Sequence, residues 1–120
     1  MSKSIEKFED LIVWKDSMRL VIDIYKNLRE CKDFGLRDQM QRASVSIPSN
    51  ISEGFDRNSN KEYIHFLFIA RGSCAELRTQ LYLTKELKII KNSQVEVLID
   101  KTKKISAMLY KLIQTRKERF

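Results

Sequence analysis

Glycine, proline, cysteine and histidine are scarce in this sequence of 120 residues, which contains 3 Gly, 1 Pro, 2 Cys and 1 His. So few glycines and prolines leave little material for tight turns or flexible linkers, and the composition favours long helices. Cys31 and Cys74 match no metal-ligand spacing, so we expect reduced thiols rather than a disulfide. No apolar run approaches the roughly 18 residues of a membrane span or forms a signal-peptide core. The sequence therefore favours a cytoplasmic location without a membrane partner.

Catalytic motifs are missing as well, since the sequence contains no glycine-rich phosphate loop and no serine nucleophile elbow. Glu62 and His65 form one Glu-x-x-His pair, whereas a di-iron bundle needs two such pairs and two further carboxylates. We expect Glu62 to lie in the first turn of a helix, His65 to be partly buried, and Cys74 to be a small core residue. The sequence predicts no enzyme, metal or cofactor. A metal site built with His65 from several subunits is the alternative.

Four segments carry apolar residues at steps of three and four, the periodicity of an amphipathic helix. The predicted helices cover about residues 10–32, 36–57, 61–87 and 93–117 within one domain, residues 1–120. Similar lengths and short connections predict an all-α, antiparallel up-down-up-down four-helix bundle. The predicted core stripes are Leu11, Trp14, Met18, Val21, Tyr25 and Leu28 in the first helix; Leu36, Met40, Ala43, Ile47, Ile51 and Gly54 in the second; Tyr63, Leu67, Ala70, Cys74, Leu77, Leu81 and Thr84 in the third; and Val95, Leu98, Thr102, Ile105, Leu109 and Leu112 in the fourth.

Turn and cap residues suggest where these helices begin and end. Gly35 is the nearby residue that adopts a left-handed conformation without steric cost, so we expect it to close the first helix. Pro48 interrupts the second pattern, but the periodicity resumes on the same face, which favours a kinked, continuous helix. The expected N-terminal caps are Ser59 or Asn60 for the third helix and Asn92 or Ser93 for the fourth.

The first half of the third helix is apolar nearly all the way round, since residues 63–70 read YIHFLFIA. A helix of that kind needs neighbours on more than one side. In a bundle of this size the additional neighbour can be a second subunit, so the sequence predicts a homo-oligomer. The expected oligomer interface consists of Tyr63, Ile64, Phe66 and Phe68.

Positive charge is concentrated near the C-terminus. The chain has 23 Lys+Arg and 16 Asp+Glu, yet residues 1–60 are balanced and residues 100–120 carry seven basic and two acidic side chains. Cations favour the end of a helix, but this local excess is larger than the helix dipole needs, and it is typical of phosphate-backbone binding. A merely soluble surface is the alternative. The candidate nucleic-acid-binding residues are Lys101, Lys103, Lys104, Lys111, Arg116, Lys117 and Arg119.

A row of polar residues accompanies the apolar faces of the second and third helices. One interpretation is that these residues solvate the bundle or link the helices by charge-assisted hydrogen bonds. The other is that they line a binding groove. The candidate groove residues are Arg42, Asn50, Glu53, Arg71, Ser73 and Glu76.

Three motifs resemble a known family: FEDLxVW from Phe8, QRAxVSIPxNIxEG from Gln41, and KEYxxFLxIARGSxxELxxQL from Lys61. They resemble the four-helix-bundle proteins encoded in intervening sequences of bacterial 23S rRNA genes, over about residues 8–87. The resemblance implies a ring-shaped homopentamer, and the six groove residues match polar positions of the family. It also implies similarity to the accessory variability protein of diversity-generating retroelements, which binds a reverse transcriptase and nucleic acid.

The sequence thus leads to two hypotheses of different kinds. The first is a non-enzymatic oligomeric bundle that binds RNA or DNA through repeated basic helix ends, with an affinity that falls steeply with salt. The second is a protein-interaction scaffold that docks a partner such as a reverse transcriptase, in which the charge serves only solubility.

Overall fold

Four long α-helices, preceded by one short 3₁₀ turn, form the computed structural model, which describes residues 5–120. The 3₁₀ turn is Phe8–Asp10, and the helices are α1 Ile12–Asn27, α2 Phe34–Phe55, α3 Asn60–Glu86 and α4 Asn92–Arg119. No β-strand occurs in this described part of the chain. The prediction of an all-α protein with four helices is confirmed.

Each helix packs against two others, α1 against α2 and α4, and α3 against α2 and α4. The first turn of α3 lies beside the last turn of α4, where the Asn60 side-chain amide donates to the Arg116 carbonyl at 3.0 Å. The last turn of α3 meets the beginning of α4 through the ion pair between Lys85 and Glu96. The two helices therefore lie side by side over most of their lengths.

The core stripes of α2, α3 and α4 follow the predicted pattern closely. Every predicted position of α3 is buried, from Tyr63 to Thr84, and in the other two helices only Leu36 and Leu112 are half-buried. Each fully buried Leu or Ile side chain contributes roughly 1.5–3 kcal/mol by leaving water. The largest of them are Ile47, Ile51, Leu67, Leu77, Leu81, Leu98, Ile99 and Leu109.

The predicted stripe of α1 is only partly right: Leu28 is buried and Leu11 and Trp14 pack against the core, but the fully buried residues within the helix form a different row. Val13, Ser17, Leu20 and Ile24 are buried, whereas Met18 is 38% exposed. A serine fits the core here because the Ser17 hydroxyl donates to the Trp14 carbonyl at 2.8 Å and is satisfied within the helix. We call the other row the α1 outer stripe, which consists of Leu11, Trp14, Met18, Val21 and Tyr25. Met18 and Tyr25 are exposed, and the other three are half-buried.

The first connection differs from the prediction at both of its ends. Helix α1 ends at Asn27, five residues before the predicted end, and Gly35 lies inside the first turn of α2. Within residues 5–120 no glycine has a positive φ, and Lys88 takes the left-handed conformation with φ 54°. The cap of α2 is Asp33, whose carboxylate accepts from the Leu36 N–H at 3.1 Å. An aspartate cap therefore replaces the expected glycine turn.

The other helix boundaries divide into confirmed and wrong predictions. Ser59 caps α3 and its hydroxyl accepts from the Glu62 N–H at 3.1 Å, as predicted. Helix α4 begins after Lys91 without a side-chain cap, so Asn92 and Ser93 are helical residues rather than caps. Helix α2 continues through Pro48, which confirms continuity, and the buried Ser44 hydroxyl is satisfied by the Gln41 carbonyl at 2.8 Å.

Membrane-spanning character is missing from the described helices, none of which combines the required length with sufficient apolarity. Cys31 and Cys74 are both buried free thiols. The Cys74 thiol donates to the Thr102 carbonyl at 3.1 Å and so links α3 to α4.

Candidate nucleic-acid interface

Two of the seven predicted phosphate-binding cations are engaged within the chain. Lys101 forms an ion pair with Asp23 of α1. The Arg116 Nε donates to the Asn60 side-chain oxygen at 2.7 Å, and its guanidinium lies 4.9 Å from the centre of the Tyr63 ring and 3.7 Å from that of Phe120. Both side chains hold α4 against its neighbours, so they are less available to a ligand than their charge suggests.

The remaining five cations are exposed, and none forms an ion pair within residues 5–120. The Lys117 ammonium lies 5.0 Å from the centre of the Phe68 ring, which is a cation–π contact. The others have no such partner among the described residues. We call this set the α4 basic surface, which consists of Lys103, Lys104, Lys111, Lys117 and Arg119.

An open groove of about 390 Å³ lies between α1 and α4, beside Lys104. Its polar residues include Asp16, which pairs with Arg19 at 2.9 Å, and the Asp23–Lys101 pair. Lys26 and Lys104 are the lining cations without an ion pair in the described part of the chain. Lys26 was not among the predicted binding residues, because counting basic and acidic residues by segment shows residues 1–60 to be balanced as a whole. A charge count for each helix face is the signal that finds this residue.

The predicted polar groove is not a single groove. Ser46 and Ser73 share a hydrogen bond of 2.8 Å between their hydroxyls across α2 and α3. The Asn50 amide donates to the Ser46 carbonyl at 2.8 Å and to its hydroxyl at 2.9 Å. Arg42 and Glu76 line a separate open pocket of about 470 Å³ nearby. The Ser46–Ser73 bond therefore links α2 to α3, whereas the bonds of Asn50 stay within α2.

The other two groove residues point elsewhere. Glu53 pairs with Arg57 at 2.8 Å near the end of α2, one helical turn apart. Arg71 lies on the α4 side of α3, where its guanidinium is 5.1 Å from the centre of the Tyr110 ring. The sequence placed Arg71 beside Ser73 because the two are close in the chain. Side chains two positions apart in an α-helix point in directions that differ by about 200°, so Arg71 and Ser73 face different neighbours.

The predicted oligomer interface on α3 is largely covered by its own chain. Tyr63 is only 6% exposed and its ring meets the Phe55 ring edge-on at 5.7 Å. Ile64 and Phe66 are half-buried, and the Arg57 guanidinium covers the Phe66 ring at 4.8 Å. Phe68 is the member that stays 45% exposed. The ends of α2 and α4 thus supply part of the additional neighbour expected from a subunit.

The titratable groups of residues 5–120 give no sign of an activated nucleophile. Burial raises the pKa of the Cys74 thiol to about 11, against the opposing effect of the Arg78 and Arg71 charges. Burial likewise raises the pKa of Tyr63 to about 12, although the Arg116 charge lowers it. A thiol that stays protonated at neutral pH is a poor nucleophile.

Metal-ligating residues are dispersed over the described part of the chain, where no three His, Cys, Asp or Glu side chains converge on a metal position. His65 is exposed rather than partly buried, and its ring meets the Phe66 ring edge-on at 5.6 Å. The prediction of its burial is wrong because residue 65 lies on the solvent side of α3.

Taken together, the four packed helices and the cationic face of α4 define a class of small helical proteins with a charged outer surface. The chain belongs to the family described as 23S rRNA-intervening sequence protein, whose sequence model matches residues 9–111. The resemblance seen in the sequence motifs is therefore confirmed.

A solved structure supports this assignment. The chain is similar to a protein with unknown function from the S23 ribosomal protein family of Bacteroides thetaiotaomicron, with a TM-score of 0.82 and 29% sequence identity. The match covers 87% of this chain and 100% of that chain. No curated protein gives a significant match.

Proposed function

We propose that this chain is a non-enzymatic protein that assembles with copies of itself and binds RNA or DNA through the α4 basic surface. The observation that carries the proposal is the exposure of five cations on one helix, none of which has a carboxylate partner within residues 5–120. Exposed cations without partners are those that release counterions when a phosphate backbone binds. Paired cations gain much less, because they must first give up their carboxylates.

The spacing of these cations suits an extended polyanion. Lys104 and Lys111 are seven residues apart, so they lie on one side of α4 about 10 Å from each other. Lys117 and Arg119 continue the positive charge to the end of the helix, where the dipole also favours cations. Such a row contacts several backbone phosphates without reading bases, and we expect binding that tolerates changes of sequence.

Self-assembly rests on the α1 outer stripe. Its residues recur at steps of three, four, three and four, the 3.5-residue period of a helix-pairing seam, while Met18 and Tyr25 are 38% and 44% exposed. We infer an up-down-up-down path of the helices, in which Met18 and Tyr25 are the exposed members of this stripe. The family resemblance favours a pentameric ring. Several copies of the basic surface in one particle raise the affinity for a long nucleic acid by avidity.

The test compares two variants with equal changes of charge. Lys103→Glu with Lys111→Glu reverses two cations of the α4 basic surface, whereas Lys7→Glu with Lys32→Glu reverses two exposed lysines outside it. Fluorescence anisotropy with a labelled RNA oligonucleotide at low salt measures the binding. We expect the α4 variant to bind about tenfold or more weakly and the control to stay near wild type. Equal loss in both variants would show that only net charge matters.

A second candidate function, docking of a protein partner such as a reverse transcriptase, is favoured by the same exposed stripe on α1. A different protein can cover the stripe as well as a second copy does. Light scattering separates the two, because a chain that stays monomeric at high concentration leaves the stripe free for another protein. If the protein is an oligomer and a substitution of Met18 lowers the particle mass, the stripe is used for self-assembly.

A further inference from the structure

An open cleft of about 380 Å³ lies between α3 and α4, outside the residues that the proposed function uses directly. It is lined by Phe68, Arg71, Gly72, Ala75, Arg78 and Ser106. The lining contains two arginines, one hydroxyl and no carboxylate. Small residues form part of the floor, and a β-carbon added to Gly72 would meet no atom within 4 Å. The cleft is therefore both positively charged and accessible.

The two arginines are held without ionic partners. Neither Arg71 nor Arg78 forms an ion pair in the described part of the chain. The Arg71 Nε is buried and has no hydrogen-bond partner among the described residues, while the guanidinium plane lies over the Tyr110 ring. A guanidinium without a carboxylate partner keeps its full capacity to bind an oxyanion by charge-assisted hydrogen bonds. A guanidinium fixed on an aromatic ring is also pre-organised to bind an oxyanion through two N–H groups.

The register of α3 and α4 places a third cation beside the cleft. Two contacts set this register, namely Arg71 over Tyr110 and Lys85 with Glu96. Arg78 lies midway between the two α3 residues, seven positions from each, and Lys103 lies midway between the two α4 residues. The register therefore places Lys103 opposite Arg78. Because the lining contains no carboxylate to neutralise the arginines, an anion bound in the cleft gains favourable Coulomb energy.

We propose that this cleft binds a phosphate group through Arg71 and Arg78, with the Ser106 hydroxyl as an additional hydrogen-bond donor. Because the inference rests on the proposed function for its ligand, the phosphate is one of the backbone phosphodiesters of the bound nucleic acid. A tetrahedral oxyanion suits this set, since arginine forks donate in pairs to phosphate oxygens and a hydroxyl donates one more bond. Lys103 of the α4 basic surface is not a lining residue, but the register places it opposite Arg78 and so sets the cleft beside that surface.

Two measurements test the cleft independently of the rest of α4. In ¹H–¹⁵N spectra of the full chain, the Nε–H signals of Arg71 and Arg78 should shift on titration with inorganic phosphate. Sodium chloride of equal ionic strength should leave both signals in place. Unchanged signals in both titrations would overturn the phosphate site.

RNA binding supplies the second readout. Arg71→Gln and Arg78→Gln should each weaken binding of a labelled RNA oligonucleotide about tenfold, whereas Arg29→Gln, an exposed arginine outside the cleft, should bind like wild type. Ala75→Glu keeps both arginines and places a carboxylate in the cleft, and it should weaken RNA binding as strongly. Circular dichroism of each variant verifies that it folds, and Ala75→Glu keeps the test decisive if Arg71→Gln does not fold.

The outcomes separate this inference from the function on which it rests. Tight RNA binding that none of the cleft variants weakens would overturn the cleft and leave the α4 basic surface standing. Phosphate-dependent shifts in a protein that binds no RNA at low salt would support a phosphate site and overturn nucleic acid as its source. Shifts with phosphate together with weakened RNA binding in the cleft variants support the inference in full.

Discussion

Gly54 and Phe66 lie so close that a β-carbon on residue 54 would be 2.6 Å from the Phe66 Cβ and 3.2 Å from the Tyr63 carbonyl oxygen. Gly54 therefore allows a close approach between α2 and α3. We expect Gly54→Ala to lower the free energy of unfolding by about 1–3 kcal/mol, because neither a Cβ nor a backbone oxygen moves aside easily. Urea denaturation measures this change.

The matched control is Gly72→Ala, at a position in α3 where the added methyl group meets open space. Alanine has the higher helix propensity, so this variant should be more stable than wild type by roughly 0.5–1 kcal/mol. If Gly54→Ala were stabilising to the same degree, the close approach of the two helices would be wrong.

The hydroxyl pair of Ser46 and Ser73 should stabilise the contact between α2 and α3. We expect Ser46→Ala and Ser73→Ala each to cost about 1 kcal/mol, and the double variant to cost less than the sum, because either change breaks the shared hydrogen bond. Thermal or urea unfolding of the four proteins gives the coupling energy. Ser52→Ala, which removes only a hydrogen bond to the Ser49 carbonyl within the helix, is the control. A coupling energy near zero would contradict the pairing.

Stability should fall at alkaline pH because of Cys74 and Tyr63. Burial raises the pKa of the Cys74 thiol from 9.0 to about 11, so below pH 9 both the folded and unfolded states keep the proton. Between pH 9 and 11 only the unfolded state loses it, which favours unfolding by an amount on the order of 2–3 kcal/mol. Tyr63, with a pKa raised from 10.0 to about 12, adds a further loss between pH 10 and 12.

Cys74→Ala is the variant that isolates the thiol contribution. It should be less stable at neutral pH because it leaves a small cavity, yet its free energy of unfolding should change less between pH 9 and 11 than that of wild type. Urea denaturation at several pH values provides the comparison. Parallel stability curves for the two proteins would rule out a thiol that stays protonated in the folded state.

The α1 outer stripe should carry the contacts between subunits. Met18→Glu with Tyr25→Glu places two charges on the stripe, and we expect the mass measured by light scattering to fall toward that of one chain, because burying unpaired carboxylates is costly. Phe68→Glu is the control on the exposed part of α3 and should leave the mass unchanged. If instead Phe68→Glu lowered the mass and the Met18 and Tyr25 variant did not, the interface would lie on α3, as the sequence predicted.

The accuracy of the sequence predictions differs between helices for physical reasons. Helix α3 has one continuous seam from Tyr63 to Thr84, so periodicity alone identified its core. Helix α1 has two rows at helical spacing, and the row that is wholly apolar is only half-buried or exposed, whereas the fully buried row contains Ser17. A serine whose hydroxyl is satisfied inside its own helix counts as small rather than polar, and a hydropathy pattern does not show this.

The candidate site was less predictable than the fold, because its side chains depend on distant partners. Lys101 pairs with Asp23, which is 78 residues away, and Arg116 binds Asn60, 56 residues away. Sequence counts identified the basic segment but not which of its cations remain unpaired. The Arg71–Arg78 cleft was missed for a related reason, since its α4 side is supplied by Ser106 and by the register that brings Lys103 opposite Arg78.

The most direct test of the central claim is the salt dependence of RNA binding by the wild-type protein. The logarithm of the association constant for a single-stranded oligonucleotide should fall linearly with the logarithm of the salt concentration. Each phosphate contact contributes a slope of about −0.7, so the five cations of one α4 basic surface predict a slope of about −3.5. A slope near zero, or no complex with micromolar protein at low salt, would contradict the account.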